Sequence, residues 1–309
     1  HVIYGSPTGL TDAGNQLWIE GADGVQGPTE HNAQFGQVLA VGDFDGNGFD
    51  DLVIGVPLAD ILTSANCGRV HVLYGSAAGL SSDLDDLWFQ GSDGLKDSCE
   101  ADDRFGEALA TGDLNRDGYD DLAVGVPYED VGNPAVPNAG AVHFIYGSAT
   151  GLTAAGNWLY TEPTSGPVAP KANDNLGKSL ASGDFDRNGY TDIAAGIPGE
   201  DKDATRTDTG AVQVIYFPNA PVVIQMWDQD STGVQDVAEA GDGFGYRVAA
   251  GDWNGDGYAD LAVGVPYEDV GAAVNGGVVH VICGAAAGLT ATGSRLFSAD
   301  AAGITGGAA

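Results

Sequence analysis

Basic residues are scarce in this sequence: 11 Lys and Arg stand against 44 Asp and Glu in 309 residues, a formal charge of −33. Binding nucleic acid requires clustered cations to neutralise phosphates, so that class of partner is excluded. Cysteine is nearly absent, with three residues and no CxxC pair, which rules out a disulfide-built miniprotein and a paired-cysteine zinc site. No run of about 18 apolar residues occurs, so no segment is expected to span a membrane as a helix. Helical periodicity is missing, as are a GxSxG elbow, an HExxH helix and a phosphate-binding Gly loop. The chain begins with His1 rather than Met and carries no signal peptide, so a processed protein or a fragment is expected.

Glycine is abundant, at 49 residues, and it punctuates short apolar runs rich in Val, Ile, Leu and Tyr. The runs belong to a repeat. Anchored on Asp43, Asp113, Asp184 and Asp252, the unit recurs at spacings of 70, 71 and 68 residues. Eight residues before each anchor stands Phe35-Gly36, Phe105-Gly106, Leu176-Gly177 or Phe244-Gly245. After each anchor an apolar run ends in Gly-Val/Ile-Pro, at Pro57, Pro127, Pro198 and Pro266. Next comes a period-two run containing His71, His143, Gln213 or His280, and then Trp88, Trp158, Trp227 or Phe297. Each unit therefore predicts four short strands, the content of one β-propeller blade. A β-helix is the competing solenoid, but its rungs repeat at far shorter periods.

The expected fold is all-β: a β-propeller of four-stranded antiparallel blades joined by acidic hairpin loops. Units run 35–104, 105–175, 176–243 and 244–309, and residues 1–34 match the second half of a unit, with His1 and Trp18 at the places of His71 and Trp88. Four and a half blades leave sheet edges unpaired, so further sequence is expected, most simply on the N-terminal side. A five-bladed ring with one two-stranded blade is the second reading.

The four hairpins read DFDGNGFDD, DLNRDGYDD, DFDRNGYTD and DWNGDGYAD. Positions 1, 3, 5 and 9 carry only Asp or Asn, and position 6 is always Gly. Alternate hard oxygens can converge on one calcium ion, a position-7 carbonyl adds another oxygen, and Gly permits the tight turn. Asp, Asn and Gly also form good turns without an ion. Four copies in register favour the cation, because crowded carboxylates would otherwise repel. An EF-hand is excluded, since position 12 is apolar and the flanks are strands. Twelve of the acids occupy these ligand positions, and four divalent ions would bring −33 to −25.

Phe-Gly, the Asp/Asn loop and Gly-Val-Pro together resemble the FG-GAP repeat of integrin α-subunit propellers, with Val or Ile for the Ala of the name. Phrases such as VIYGSPTGLTDAGNQLW at Val2 are also similar to secreted bacterial and archaeal FG-GAP proteins. The resemblance covers essentially the whole chain. It implies a seven-bladed ring, calcium in the loop between the first two strands of a blade, and a partner face on the opposite side. The implied ligands are Asp43, Asp45, Asn47, the Phe49 carbonyl and Asp51, then Asp113, Asn115, Asp117, the Tyr119 carbonyl and Asp121. The third and fourth sites are Asp184, Asp186, Asn188, the Tyr190 carbonyl and Asp192, and Asp252, Asn254, Asp256, the Tyr258 carbonyl and Asp260.

His1, His71, His143 and His280 share one strand position, and a repeated position reads as structural rather than catalytic. His31 has no equivalent and is left without a role. The pairs Glu129-Asp130, Glu200-Asp201 and Glu268-Asp269 could form a general acid and base, but their repetition favours a structural or solvated role. Cys67 and Cys99 fall in connections on the same face of a blade, so they are expected to form a disulfide in an oxidising compartment. Cys283 reads as a buried free thiol. The expected function is an extracellular, secreted or cell-surface calcium-binding adhesion or protein-interaction module, not an enzyme. It would meet a protein or glycan ligand through loops near 58–68, 128–140, 199–209, 267–276, 97–104 and 236–243. Alternatives are the propeller part of a secreted hydrolase or lyase, and a structural subunit of a cell-surface assembly.

Overall fold

The structure, a computed structural model, describes residues 1–163, 169–218 and 223–299. The end of the fourth predicted unit, 300–309, and short stretches of the second and third units lie outside the described residues. Among the described residues every regular element is a β-strand. The all-β reading is therefore borne out, with four four-stranded sheets and one two-stranded sheet.

Each four-stranded sheet is an antiparallel meander whose strands pair in sequence order. In the first blade these are Val38–Gly42, Asp51–Val56, Arg69–Tyr74 and Ser81–Trp88. The first two strands pair from Val38 opposite Gly55 to Gly42 opposite Asp51, so the acidic hairpin is the connection that closes this ladder. The other three blades repeat the pairing, for example Gly112 opposite Asp121 and Gly183 opposite Asp192. Val2–Ser6 and Gly9–Gln16 form the two-stranded sheet. The innermost strands of successive blades lie side by side, around a common space lined by Ala40, Ala110, Ala181 and Ala250.

The core lies between blades rather than within them. Phe44, Val53, Val70 and Val72 of the first blade pack with Phe105, Leu122, Val124 and Ile145 of the second. Two further clusters of the same kind fill the next two interfaces. Burying each such Val, Leu, Ile or Phe contributes roughly 1.5–3 kcal/mol, so a blade gains most of its stability from its neighbours. This explains a departure from simple period-two burial. The third strands Arg69–Tyr74 and Ala211–Tyr216 are buried at every residue, because a blade covers each face. Val278–Cys283 of the fourth blade alternates, since one face has no described neighbour. Cys283 lies on this strand and is only partly buried, which corrects the expectation of a buried thiol.

Candidate metal centres and the opposite rim

The four hairpins share one hydrogen-bond scheme. In the first, the Asp43 carboxylate accepts the backbone N–H of Asn47 and Gly48 at 3.0 and 2.9 Å, and Asp45 accepts the Asn47 N–H at 3.0 Å. Asn47 Oδ1 accepts the Phe49 N–H at 2.8 Å. Asp113, Asp184 and Asp252 accept the equivalent N–H groups in their own loops. Each oxygen so used keeps a second lone pair for a cation.

Position 9 does a different job. Asp51, Asp121, Asp192 and Asp260 are essentially inaccessible. Each carboxylate joins the loop to the end of the third strand: Asp51 accepts the N–H of Phe44 and Gly75, and Asp121 those of Leu114 and Gly147. Asp192 bridges Phe185 and Phe217, and Asp260 bridges Trp253 and Gly284. Burial pushes Asp51 up to about 6, and Asp121 and Asp192 up to about 7, with the other loop carboxylates adding repulsion against those N–H donors.

Oxygens of Asp43, Asp45 and Asp51 lie within 4.8 Å of one another, as do those of Asp184, Asp186 and Asp192. One ion with Ca–O distances of 2.3–2.6 Å reaches donors about 5 Å apart, so this donor set of hard oxygens fits calcium. In the second and fourth hairpins Asn115 and Asn254 replace the middle carboxylate and accept the Asp117 and Asp256 N–H at 2.8 Å. The hairpins also meet between blades: the Asp120 N–H donates to the Asp43 carbonyl, Thr191 to Asp113 and Ala259 to Asp184.

Three of the five histidines, His71, His143 and His280, are buried in the sheets, while His1 is exposed before the first strand. His71, His143 and His280 present ring edges or tilted faces to Phe35, Phe105 and Phe244 at 5.4–5.5 Å between centroids. Burial pushes His143 and His280 down to about 4, so both are neutral at pH 7. Burial opposes charge on His71 as well, but hydrogen bonds to Asp85 and Glu20 outweigh it and raise its pKa. His31 is exposed in a turn. Of the acidic pairs, Glu129, Glu200 and Glu268 are buried, while Asp130, Asp201 and Asp269 accept the N–H of Asn138, Asp208 and Asn275. Cys67 and Cys99 are disulfide-bonded, with Cα atoms 5.7 Å apart.

Sequence reasoning missed a second acidic constellation, on the rim opposite the hairpins. In the second, third and fourth repeats it combines the Glu two residues after Gly-Val/Ile-Pro with the Asp two residues before Phe-Gly or Leu-Gly: Glu129 with Asp103, Glu200 with Asp174, Glu268 with Asp242. Burial pushes Glu129 up to about 9 and Asp103, Asp174 and Glu268 up to about 7, with neighbouring acids adding to it. The constant offsets from the repeat marks were the available signal.

Four segments, 35–73, 105–145, 176–215 and 244–282, match the FG-GAP repeat, and together they make up half of the chain. The chain belongs to the FG-GAP repeat family. Among its relatives, the phosphatidylinositol-glycan-specific phospholipase D of Rattus norvegicus is 34% identical over 169 residues, 54% of this chain and 19% of the relative. Integrin alpha-6 of Homo sapiens is 34% identical over 166 residues, 53% of this chain and 12% of the relative. Integrin alpha pat-2 of Caenorhabditis briggsae is 32% identical over 241 residues, 74% of this chain and 18% of the relative. The chain thus spans less than a fifth of the length of these relatives.

The geometry gives the two halves of the FG-GAP motif a physical meaning. Within a blade the Phe-Gly glycine donates its N–H to the Gly-Val/Ile-Pro glycine, as Gly177 does to Gly196 at 3.0 Å. Between blades the contact is closer: a Cβ on Gly125 would lie 2.1 Å from the Gly177 carbonyl oxygen, and one on Gly196 would lie 2.0 Å from that of Gly245. Any side chain there would force two blades apart.

Proposed function

We propose that this chain is a calcium-loaded FG-GAP propeller segment of an extracellular adhesion or protein-interaction protein, and that it has no catalytic centre of its own. The observation that carries this reading is the fourfold hairpin, in which acidic and amide oxygens are held in one repeated arrangement by backbone N–H groups. Calcium there joins the two inner strands of each blade and stiffens one rim, leaving the connections of the other rim to meet a protein or glycan. The disulfide suits an oxidising, extracellular setting. Similarity to integrin alpha subunits favours adhesion. Similarity to a phospholipase D supports a second reading, the propeller portion of a secreted hydrolase.

Calcium titration of the full chain tests the metal assignment. Asp113→Asn combined with Asp117→Asn is expected to remove one bound ion, and an unchanged count would overturn it. A glycan and protein array run beside a hydrolase screen separates the two readings: specific retention on the array supports adhesion, and turnover of a phosphodiester supports the hydrolase.

A further inference from the structure

The rim opposite the hairpins carries four equivalent interfaces between blades, and their residues change in concert. Each is built from four places in the repeat: the residue near the end of the previous fourth strand, the residues five and two before Phe-Gly or Leu-Gly, and the residue two after Gly-Val/Ile-Pro. In the first interface these are Glu20, Glu30, Ala33 and Ala59. The two alanines pack with Val56 and Phe35, and Arg69 fills the space. Its Nε bonds Glu20 at 2.5 Å and its Nη2 bonds Glu30 at 3.1 Å, with Arg69 and Glu20 both almost fully buried.

In the third interface Asp174, Glu200 and Glu162 bring oxygens within 4.8 Å of one another, and the residue five before Leu-Gly is Lys171. Its ammonium group bonds Glu200 and the Asp201 carbonyl. The place of Arg69 is taken by Ala211. A cation of the protein's own therefore enters both of these carboxylate clusters.

The fourth interface has acids at three of the four places, with Gln229 at the place of Glu20, and, among the described residues, has no such cation. Glu239, Asp242 and Glu268 bring oxygens within 4.8 Å of one another, and Val278 stands where Arg69 does. Among the described residues no Lys or Arg pairs with any of the three. Gln229, 1% exposed, is aimed into the cluster: its Nε2 donates to Glu268 at 2.5 Å, while its Oε1 is buried without a partner. Three carboxylates and an orphaned amide oxygen are hard donors, and a separation of 4.8 Å suits a single ion with oxygens 2.3–2.6 Å away. We propose that Glu239, Asp242, Glu268 and Gln229 hold a divalent cation of the calcium type, bound in the place that the Arg69 guanidinium takes in the first interface. The second interface carries the same residue types, Gln90, Glu100, Asp103 and Glu129, but does not bring its three carboxylates within 4.8 Å of one another, so the proposal is confined to the fourth interface. Gln90 Nε2 donates to Glu129 at 2.6 Å, and its Oε1 is likewise buried without a partner. The fourth-interface site is separate from the hairpins and draws on no hairpin residue.

The test is the number of calcium ions bound by the full chain at neutral pH, measured by equilibrium dialysis with metal analysis. Asp242→Asn with Glu268→Gln is expected to bind one ion fewer than the wild type. A second variant guards against misfolding: Gln229→Glu, Asp242→Ala, Glu268→Ala and Val278→Arg together transplant the first interface's residues. It is expected to fold, to bind one ion fewer, and to melt at a temperature less sensitive to chelator. Counts equal to the wild type in the folded variants would overturn the proposal. The hairpin variant described above reports on its own loop alone, so failure of one assignment leaves the other readable.

Discussion

The two rims of this propeller segment handle crowded carboxylates in opposite ways. The hairpin rim repeats one arrangement four times, with position 9 buried and bonded to the same two backbone N–H groups in every blade. The other rim varies from interface to interface, with Arg69 in one, Lys171 in another and, among the described residues, no protein cation in two. A tight turn that holds its acids by backbone N–H groups constrains sequence at positions 1, 3, 5, 6 and 9 of a short loop. A feature assembled from side chains across a blade interface constrains only the balance of charge and volume, so alanine and arginine can replace two acids together.

The comparison is most directly broken by removing metal. Excess EDTA is expected to lower the melting temperature substantially, since each site held 100-fold above its Kd contributes about 2.7 kcal/mol. Circular dichroism melts with and without calcium read this, and an unchanged melt would remove the metal from both rims. The next largest effect isolates the metal-free solution of the variable rim. Arg69→Ala leaves Glu20 buried with His71 as its remaining side-chain partner and is expected to cost about 3–5 kcal/mol in urea denaturation, in calcium as well as in chelator. A loss seen only in calcium would show that Arg69 does not act as the interface's own cation.

The smallest effect is a dependence on pH. Burial raises Glu129 to about 9 and Asp121 and Asp192 to about 7, above their unfolded values. The folded, metal-free protein then binds more protons than the unfolded chain. The stability these acids contribute in chelator is full below about pH 4, their unfolded range, and falls as pH rises towards 9. Saturating calcium should flatten this trend across the neutral range, because a bound cation holds the carboxylates ionised. Melting temperatures in chelator that rise with pH would contradict the burial of these acids.

Much of this was legible before any coordinates. Phe-Gly, the Asp/Asn loop and Gly-Val/Ile-Pro mark the ends of strands, and their spacing placed four hairpins and four meanders correctly. The reading of His71, His143 and His280 as structural needed only their shared position, and their burial supports it. The variable rim was not legible in the same way. Gln229, Glu239, Asp242 and Glu268 come from two units and two connections, so no local window contains the site. Glu268-Asp269 looked like one acidic pair, yet the strand end turns Glu268 into the interface and leaves Asp269 to accept the Asn275 N–H. Cys283 was misplaced for a related reason: its neighbours in sequence are apolar, but its exposure depends on whether another blade packs against that face.

By itself, the sequence determined the strands, their order and the acidic hairpins, because hydrogen-bond ladders and tight acidic turns are specified by residues close together in the chain. Tertiary structure alone decided which acids share a buried space, and whether arginine, lysine or neither lies among them. Desolvation and charge repulsion act between whichever groups the packed blades bring within a few ångströms, whatever their separation in sequence.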